Sequence, residues 1–241
     1  MIRHSIQSSL VVLLLFGCGS PSDKLDAGTP SESDSGAIAT LEPADSDAAS
    51  TDIASATTPA PVADTTVVPG EKFGAVTLNT SRQDLEELFG VDVLTDEAVD
   101  VGEGMTEAAT LVALEDGYAF TIVWEDDSRT APFEIRDIGE GWTMPEGIQV
   151  GTSFSELQSS LGEFELYGLG WDYGGTVVLD NTTLDAYQDH LILRLQPDAQ
   201  AQTAQPGAME ALMGDSLYAS DNPNFGKLNM SVYEIIVRLG S

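Results

Sequence analysis

Two residue sets and one isolated imidazole in this 241-residue chain have the types and spacing to do chemistry. The first is a lone thiol: Cys18, preceded by Leu15-Phe16-Gly17, is the only cysteine present. The second is Trp171-Asp172-Tyr173-Gly174-Gly175, where two flat aromatic faces bracket a carboxylate and the glycines permit positive φ and close backbone approach. Stacking plus an anionic acceptor suits a sugar or peptide site. The same residues also suit a tight, bulged strand connection whose aromatics cap the sheet and whose Asp172 accepts backbone amides. The imidazole is His190, the only histidine after His4. It shares the face of Ile192, Arg194 and Gln196, opposite Leu191, Leu193 and Leu195, and therefore reads as solvent-facing; alone it offers little material for a metal cluster or a Ser/His/Asp system. Acidic residues are too abundant for any carboxylate pair to single out glycosidase chemistry. Residues 215–224, with Asp221 and Asn222, lack the alternating aspartates of a calcium loop, and turn chemistry explains them equally well. No catalytic residue, metal site or cofactor is expected.

Cys18 follows an apolar run, residues 10–16, that is too short to span a bilayer, behind a leader whose one fixed positive charge is Arg3. Residues 1–17 are therefore read as an export signal. The Leu15-Phe16-Gly17-Cys18 ending resembles the lipobox of bacterial lipoproteins, with Phe16 where that family usually has a small or β-branched residue. The resemblance implies that the signal is cut before Cys18, that its sulfur carries diacylglycerol through a thioether, and that the new amino group is acylated. Three acyl chains anchor durably where one binds only marginally. Gly19, in place of the Asp that favours inner-membrane retention, implies the outer membrane if the host has one. With Cys18 so used, no disulfide, thiolate nucleophile or zinc–thiolate site remains, and stability must come from the core.

From residue 19 to about residue 66 the composition turns to Ser, Thr, Ala, Pro and Asp with no aromatic residue. Such a segment cannot bury enough apolar surface to offset its chain entropy, so residues 18–66 are read as a disordered acidic tether with a reach on the order of 40 Å. Of the chain's 40 acidic residues nine precede Val67, which leaves 31 against seven bases over residues 67–241. That balance argues against nucleic acid and anionic lipid as partners and is explained by solubility. The partners expected are the membrane, reached through the N-terminal lipid, and an envelope protein or glycan.

The elements that must position any site are organised by a repeat. Residues 76–90 and 148–162 follow one pattern: an apolar strand, Thr-Ser, a short helix, then glycine. Ser81 and Ser153 are N-caps, and Asp84 and Glu156 stand where a capping box places its reciprocal acceptor. Gly90 and Gly162 supply the stop. Leu85, Leu88 and Phe89, and likewise Phe154, Leu157 and Leu161, make one apolar face at helical spacing. Helices this short are marginal alone and must lie on a sheet.

Strands are expected at residues 110–115 and 118–124, joined by a type I′ turn at Asp116-Gly117, with Tyr118, Phe120, Ile122 and Trp124 toward the core. Further strands are expected at residues 133–138, 176–179, 190–196 and 231–239, the last with Tyr233, Ile235, Val237 and Leu239 inward. Residues 206–213 read as a short helix or turn. The chain is thus expected to be α+β, a tandem repeat of a short helix packed on antiparallel sheet, with one repeat over 67–141 and the other over 142–241. A surface aromatic patch around Trp171 or Trp142 would favour docking to another protein.

The strand, Thr-Ser, short helix and glycine pattern resembles the repeat of the β-lactamase inhibitor protein fold and of the small lipoprotein of the outer-membrane barrel-assembly machinery. The run from Gly168 to Gly175 resembles a group of uncharacterised bacterial secreted and lipoprotein sequences with a Gly-aromatic-Gly-Trp-Asp-Tyr-Gly-Gly signature, with Leu169 where they usually have Phe. That resemblance implies no known activity. The functional expectation is a lipid-anchored, non-enzymatic binding domain in the cell envelope; the alternatives are an inhibitor or regulator of an envelope enzyme and a hydrolase of envelope polysaccharide.

Overall fold

The computed structural model describes residues 63–102 and 104–240. The expected signal, Cys18 and the tether up to residue 62 lie outside the described residues. In chain order the strands are β1 (Val67–Val68), β2 (Lys72–Phe73), β3 (Val76–Thr77), β4 (Leu94–Gly102), β5 (Met105–Val112), β6 (Phe120–Trp124), β7 (Pro132–Arg136), β8 (Glu165–Tyr167), β9 (Val177–Val178), β10 (Leu191–Gln196), β11 (Leu217–Ala219) and β12 (Ser231–Arg238). The helices are α1 (Arg82–Phe89), α2 (Phe154–Leu161), α3 (Ala199–Ala204), α4 (Pro206–Ala211) and α5 (Pro223–Lys227). No helix among the described residues is long and apolar enough to cross a membrane.

The fold is α+β. A six-stranded sheet runs β10-β12-β7-β6-β5-β4 with every pairing antiparallel. A smaller sheet, β11-β8-β9, continues onto β10 through the antiparallel bridge between Thr176 and Arg194. Each half is thus a helix followed by a four-strand meander: α1 with β4-β5-β6-β7, and α2 with β8-β9-β10-β12. The segment carrying α3, α4, β11 and α5 is inserted before the last strand. The two fourth strands pair with each other, Val237 opposite Ile135 and Arg238 opposite Glu134, so the halves share one sheet. They also share one core, in which Leu85 of α1 and Leu157 of α2 are both fully buried together with Phe120, Ile122, Ile135 and Leu193.

The local chemistry of the two helices matches closely. Thr77 N–H donates to Thr80 Oγ1 at 2.9 Å, as Gln149 N–H does to Thr152 Oγ1 at 2.9 Å. Both capping boxes are complete: Asp84 and Glu156 accept from the cap backbone at 2.7 and 2.9 Å, while the cap hydroxyls accept from the Asp84 and Glu156 amides. Gly90 and Gly162 stand at φ 90° and 83°, where an L side chain is strained.

Every expected strand is present, but several have shifted ends or faces, for identifiable reasons. At Asp116-Gly117 both residues take positive φ, as a type I′ turn requires, but the loop is wider and the strands end at Val112 and begin at Phe120. Tyr118 is consequently only half-buried, edge-on to Trp142. On β12 the register shifts opposite Arg194 and Leu195, so that Glu234 pairs with Arg194 but Val232 with Leu195. That bulge places Val232 inward and leaves Tyr233 exposed, against simple alternation. Trp142 is core, not surface: it packs on Phe73, Phe120 and Tyr118 and donates Nε1–H to the Tyr118 carbonyl at 2.9 Å. His190 is half-buried rather than solvent-facing, because Gly70 brings the β1–β2 turn against its ring; a β-carbon on Gly70 would lie 3.1 Å from it. The expected tether also ends early, since Asp64 accepts from Lys72 Nζ at 3.0 Å and Thr66 accepts from the Gly74 amide at 2.9 Å.

The strand that composition hid most completely is β4, where Asp96, Glu97 and Asp100 interrupt the strand formers Thr95, Val99 and Val101. A polar relay holds it in place. Arg82 Nε and Thr110 Oγ1 both donate to Asp96, at 2.8 and 2.7 Å, and Thr110 accepts from Trp124 Nε1 at 2.9 Å. Burial works against the charge on Asp96, but the Thr110 and Arg82 hydrogen bonds outweigh it and hold the carboxyl below its ordinary value.

The capping carboxylates Asp84 and Glu156 are likewise held below their ordinary values of 3.8 and 4.5, by bonds from Ser81 backbone and hydroxyl and from Ser153 hydroxyl and backbone. A carboxyl depressed in the folded state adds stability that is complete above its unfolded value and is lost as pH falls through the folded one. Ser153→Ala is therefore expected to lower unfolding free energy by about 1 kcal/mol at neutral pH. The gap to wild type should narrow in acid, where protonated Glu156 no longer accepts from the hydroxyl; urea titrations at neutral and acid pH measure both.

Candidate functional site

One face of the large sheet is covered by the helices and the core; the other carries a groove of about 810 Å³. Its floor is made where the two halves meet. Glu134 and Arg136 come from β7, Arg194 from β10, and Arg238 from β12, with Ile192 and Ile236 between the charges. The far end of the β4–β5 hairpin, including Val101 and Met105, forms one wall. The loop between β8 and β9 forms the other, through Asp172 and Tyr173.

Alternation explains why charge sits on this floor. Ile135, Leu193, Ile235 and Val237 point into the core, so their neighbours Glu134, Arg136, Arg194, Glu234 and Arg238 point the other way. Arg194 Nη1 donates to Glu234 at 2.9 Å, and Glu234 stands 4.0 Å from Arg136. Arg238 Nε lies 3.5 Å from Glu134 without the alignment of a hydrogen bond, and its guanidinium sits over Phe133, 5.9 Å from the ring centroid.

The sequence-derived candidates divide sharply. Gly168, Gly170 and Gly175 are architectural: β-carbons there would meet the Leu212 and Gly214 carbonyls, the Met213 side chain and the Leu195 carbonyl respectively. Gly174 closes the turn by donating to the Trp171 carbonyl at 2.7 Å, and Gly175 donates to Tyr167 at 3.0 Å. The aromatics do not cap the sheet. Trp171 is 66% exposed and Tyr173 68% exposed, and no described residue donates a hydrogen bond to Asp172. Tyr173 and Asp172 face the groove, whereas Trp171 stands outside its lining.

Sequence reasoning missed the other contributors: the floor arginines, Glu134, the half-exposed Phe133 and Met105, and Glu234, which pairs with the arginines from outside the lining. A signal was present, since three of the seven bases after residue 66 alternate with core residues on strands. His190 takes no part in the groove. In the expected turn region, Asn222 caps α5 by accepting from the Asn224 amide at 3.0 Å. Among the described residues no group of three His, Cys, Asp or Glu side chains is placed to hold a metal ion.

No family model and no curated protein matches the chain. Among solved structures it is similar to the uncharacterized protein yfeY from Escherichia coli, at 17% sequence identity and a TM-score of 0.41, over 72% of this chain and 99% of that one. That likeness is too distant to transfer an activity.

Substitutions should separate the glycine scaffold from the aromatic display. Gly175→Ala places a methyl on the Leu195 carbonyl at φ 74° and is expected to destabilise the protein by more than about 2 kcal/mol. Gly207→Ala, with no atom within 4 Å of the new carbon, should be neutral or slightly stabilising. Trp171→Ala should leave the thermal midpoint unchanged within about 1 °C, because its ring is mostly in solvent. Thermal denaturation of the three variants reads all of this.

Proposed function

We propose that the chain is a lipid-anchored lipoprotein of the bacterial cell envelope, a member of the signature-bearing lipoprotein group, whose folded part binds a partner without catalysing a reaction. The observation that carries the binding reading is the groove. Exposed rings of Tyr173 and Phe133 stand beside three arginines on a domain that otherwise has few bases. Aromatic side chains held in solvent on a stiff glycine-built turn, next to fixed guanidinium groups, are the composition of a recognition surface. Glu134 on the floor and Glu234 beside it are engaged by arginines rather than free to serve as an acid–base pair. The carboxylates whose pKa moves, Asp64, Asp84, Asp96, Asp126 and Glu156, all move down.

Anchoring rests on the sequence before the described residues: the apolar run, the Leu15-Phe16-Gly17-Cys18 ending and the absence of any other cysteine. A second reading, inhibition or regulation of an envelope enzyme, is favoured by Trp171, an exposed indole beside the groove.

Two measurements test the proposal. Mass spectrometry of protein from native membranes should find Cys18 as a triacylated first residue; an unmodified amino-terminal region would refute the anchor. A photo-crosslinking residue at Tyr173, in intact cells, should capture a defined partner that the same residue at Lys227, on α5, does not. Equal capture at both positions, or none at either, would refute the groove as the binding site.

A further inference from the structure

The chemistry of the floor narrows what the groove accepts. Each guanidinium carries five N–H donors in a planar fork suited to a carboxylate. Of those on Arg136, Arg194 and Arg238, only Arg194 Nη1, to Glu234, and Arg136 Nη1, to the Asp100 carbonyl at 3.2 Å, make hydrogen bonds to described residues. Arg82 differs: half-buried on α1, it donates to two carboxylates, Asp96 at 2.8 Å and Glu86 at 2.9 Å. Carboxylates are abundant over residues 67–241, so scarcity of acids does not explain why the floor arginines are left underpaired. Glu234 is shared between Arg194 and Arg136, and Arg136 has no carboxylate nearer than 4.0 Å. Arg136 is therefore the least neutralised cation on the floor.

We propose, building on the binding reading above, that the groove takes an acidic peptide segment of a partner protein: a glutamate or aspartate side chain seated on Arg136, flanked by aromatic or aliphatic side chains against Phe133, Tyr173 and Met105. A basic segment would find carboxylates over the whole surface and would have no use for this place. An anion, in contrast, is repelled by most of this acidic surface and finds three guanidinium groups together only here. The exposed rings and Met105, 53% exposed, supply the apolar contact that a simple anion would not need. The acids Asp100, Glu107, Glu125 and Asp172 around the arginines limit the ligand to isolated carboxylates set among apolar residues, not a polyanionic run.

The experiment uses the full-length protein and three blocked pentapeptides, acetyl-Gly-Phe-Glu-Phe-Gly-amide and its Gln and Lys analogues, titrated calorimetrically. The Glu peptide is expected to bind at least about tenfold tighter than either analogue, the worth of one charge-assisted hydrogen-bonded pair. Arg136→Gln should remove that preference. Arg238→Gln should reduce it, and Lys227→Gln, outside the groove, should leave it intact. Thermal midpoints check that each variant is folded, and Arg238→Gln gives an independent reading should Arg136→Gln unfold. Equal or tighter binding of the Lys peptide, or a Glu preference that survives both arginine variants, overturns the proposal. Silence from all three peptides overturns it too: if Tyr173 still crosslinks a partner in cells, the groove stands as a site for another ligand class, such as an acidic glycan, and if it does not, the binding reading falls with it.

Discussion

The antiparallel pairing of β7 with β12 is the contact on which everything else depends. Val237 opposite Ile135 and Arg238 opposite Glu134 join two helix-plus-meander halves that would each expose an open sheet edge and a half-covered apolar face. Joined, they bury Leu85 and Leu157 in one core and make the largest sheet of the described residues. The groove is a by-product of the same seam. Glu134 and Arg136 belong to the first half, Arg194 and Arg238 to the second, and neither half alone has a complete floor. Strand alternation then does the sorting: residues that hold the core together necessarily aim their neighbours into the groove.

Charge is distributed with the same division of labour. The chain is strongly acidic, and the carboxylates with depressed pKa are spent locally, in two capping boxes, in turns and at the Asp96 relay that fastens β4. The arginines are the scarce resource. One, Arg82, is fully committed to structure through Asp96 and Glu86. Three gather on the outer face of the sheet with most of their donors unspent. The Trp171–Gly175 turn adds a second asymmetry: its glycines are enclosed by neighbouring backbone, while Trp171 and Tyr173 on the same turn stay in solvent. A turn needed only for architecture has no reason to keep two large rings wet.

How much of this was legible in the sequence depended on how local the signal was. The two repeat helices, α1 and α2, were readable because cap, reciprocal acceptor, apolar face and terminal glycine lie within ten residues of one another. The strands β6, β7, β10 and β12 were readable from alternation, with ends displaced by a residue or two. Tyr233 was misplaced because a bulge adds a residue opposite β10, and periodicity cannot foresee a register shift set by a partner strand. β4 was invisible because its acidic composition is favourable only once Arg82, Thr110 and Trp124 surround Asp96, and these are distant in sequence. Trp142 and His190 were misjudged for a similar reason: Gly74 and Gly70, in a small amino-terminal sheet with two-residue strands, bring backbone against their rings. The Trp171–Gly175 turn was recognisable as special, but its partners across the groove became visible only when the seam placed them.

A groove floored by both halves requires them to be one cooperative body rather than two domains that happen to touch. Native-state hydrogen exchange tests this most directly, by comparing backbone amides of β6 and β7 with those of β10 and β12 under increasing denaturant. The seam predicts that the slowest amides in both halves, Ile135 and Val237 among them, open together at the free energy of global unfolding. Separate plateaus, with one half exchanging through its own opening while the other stays protected, would contradict it.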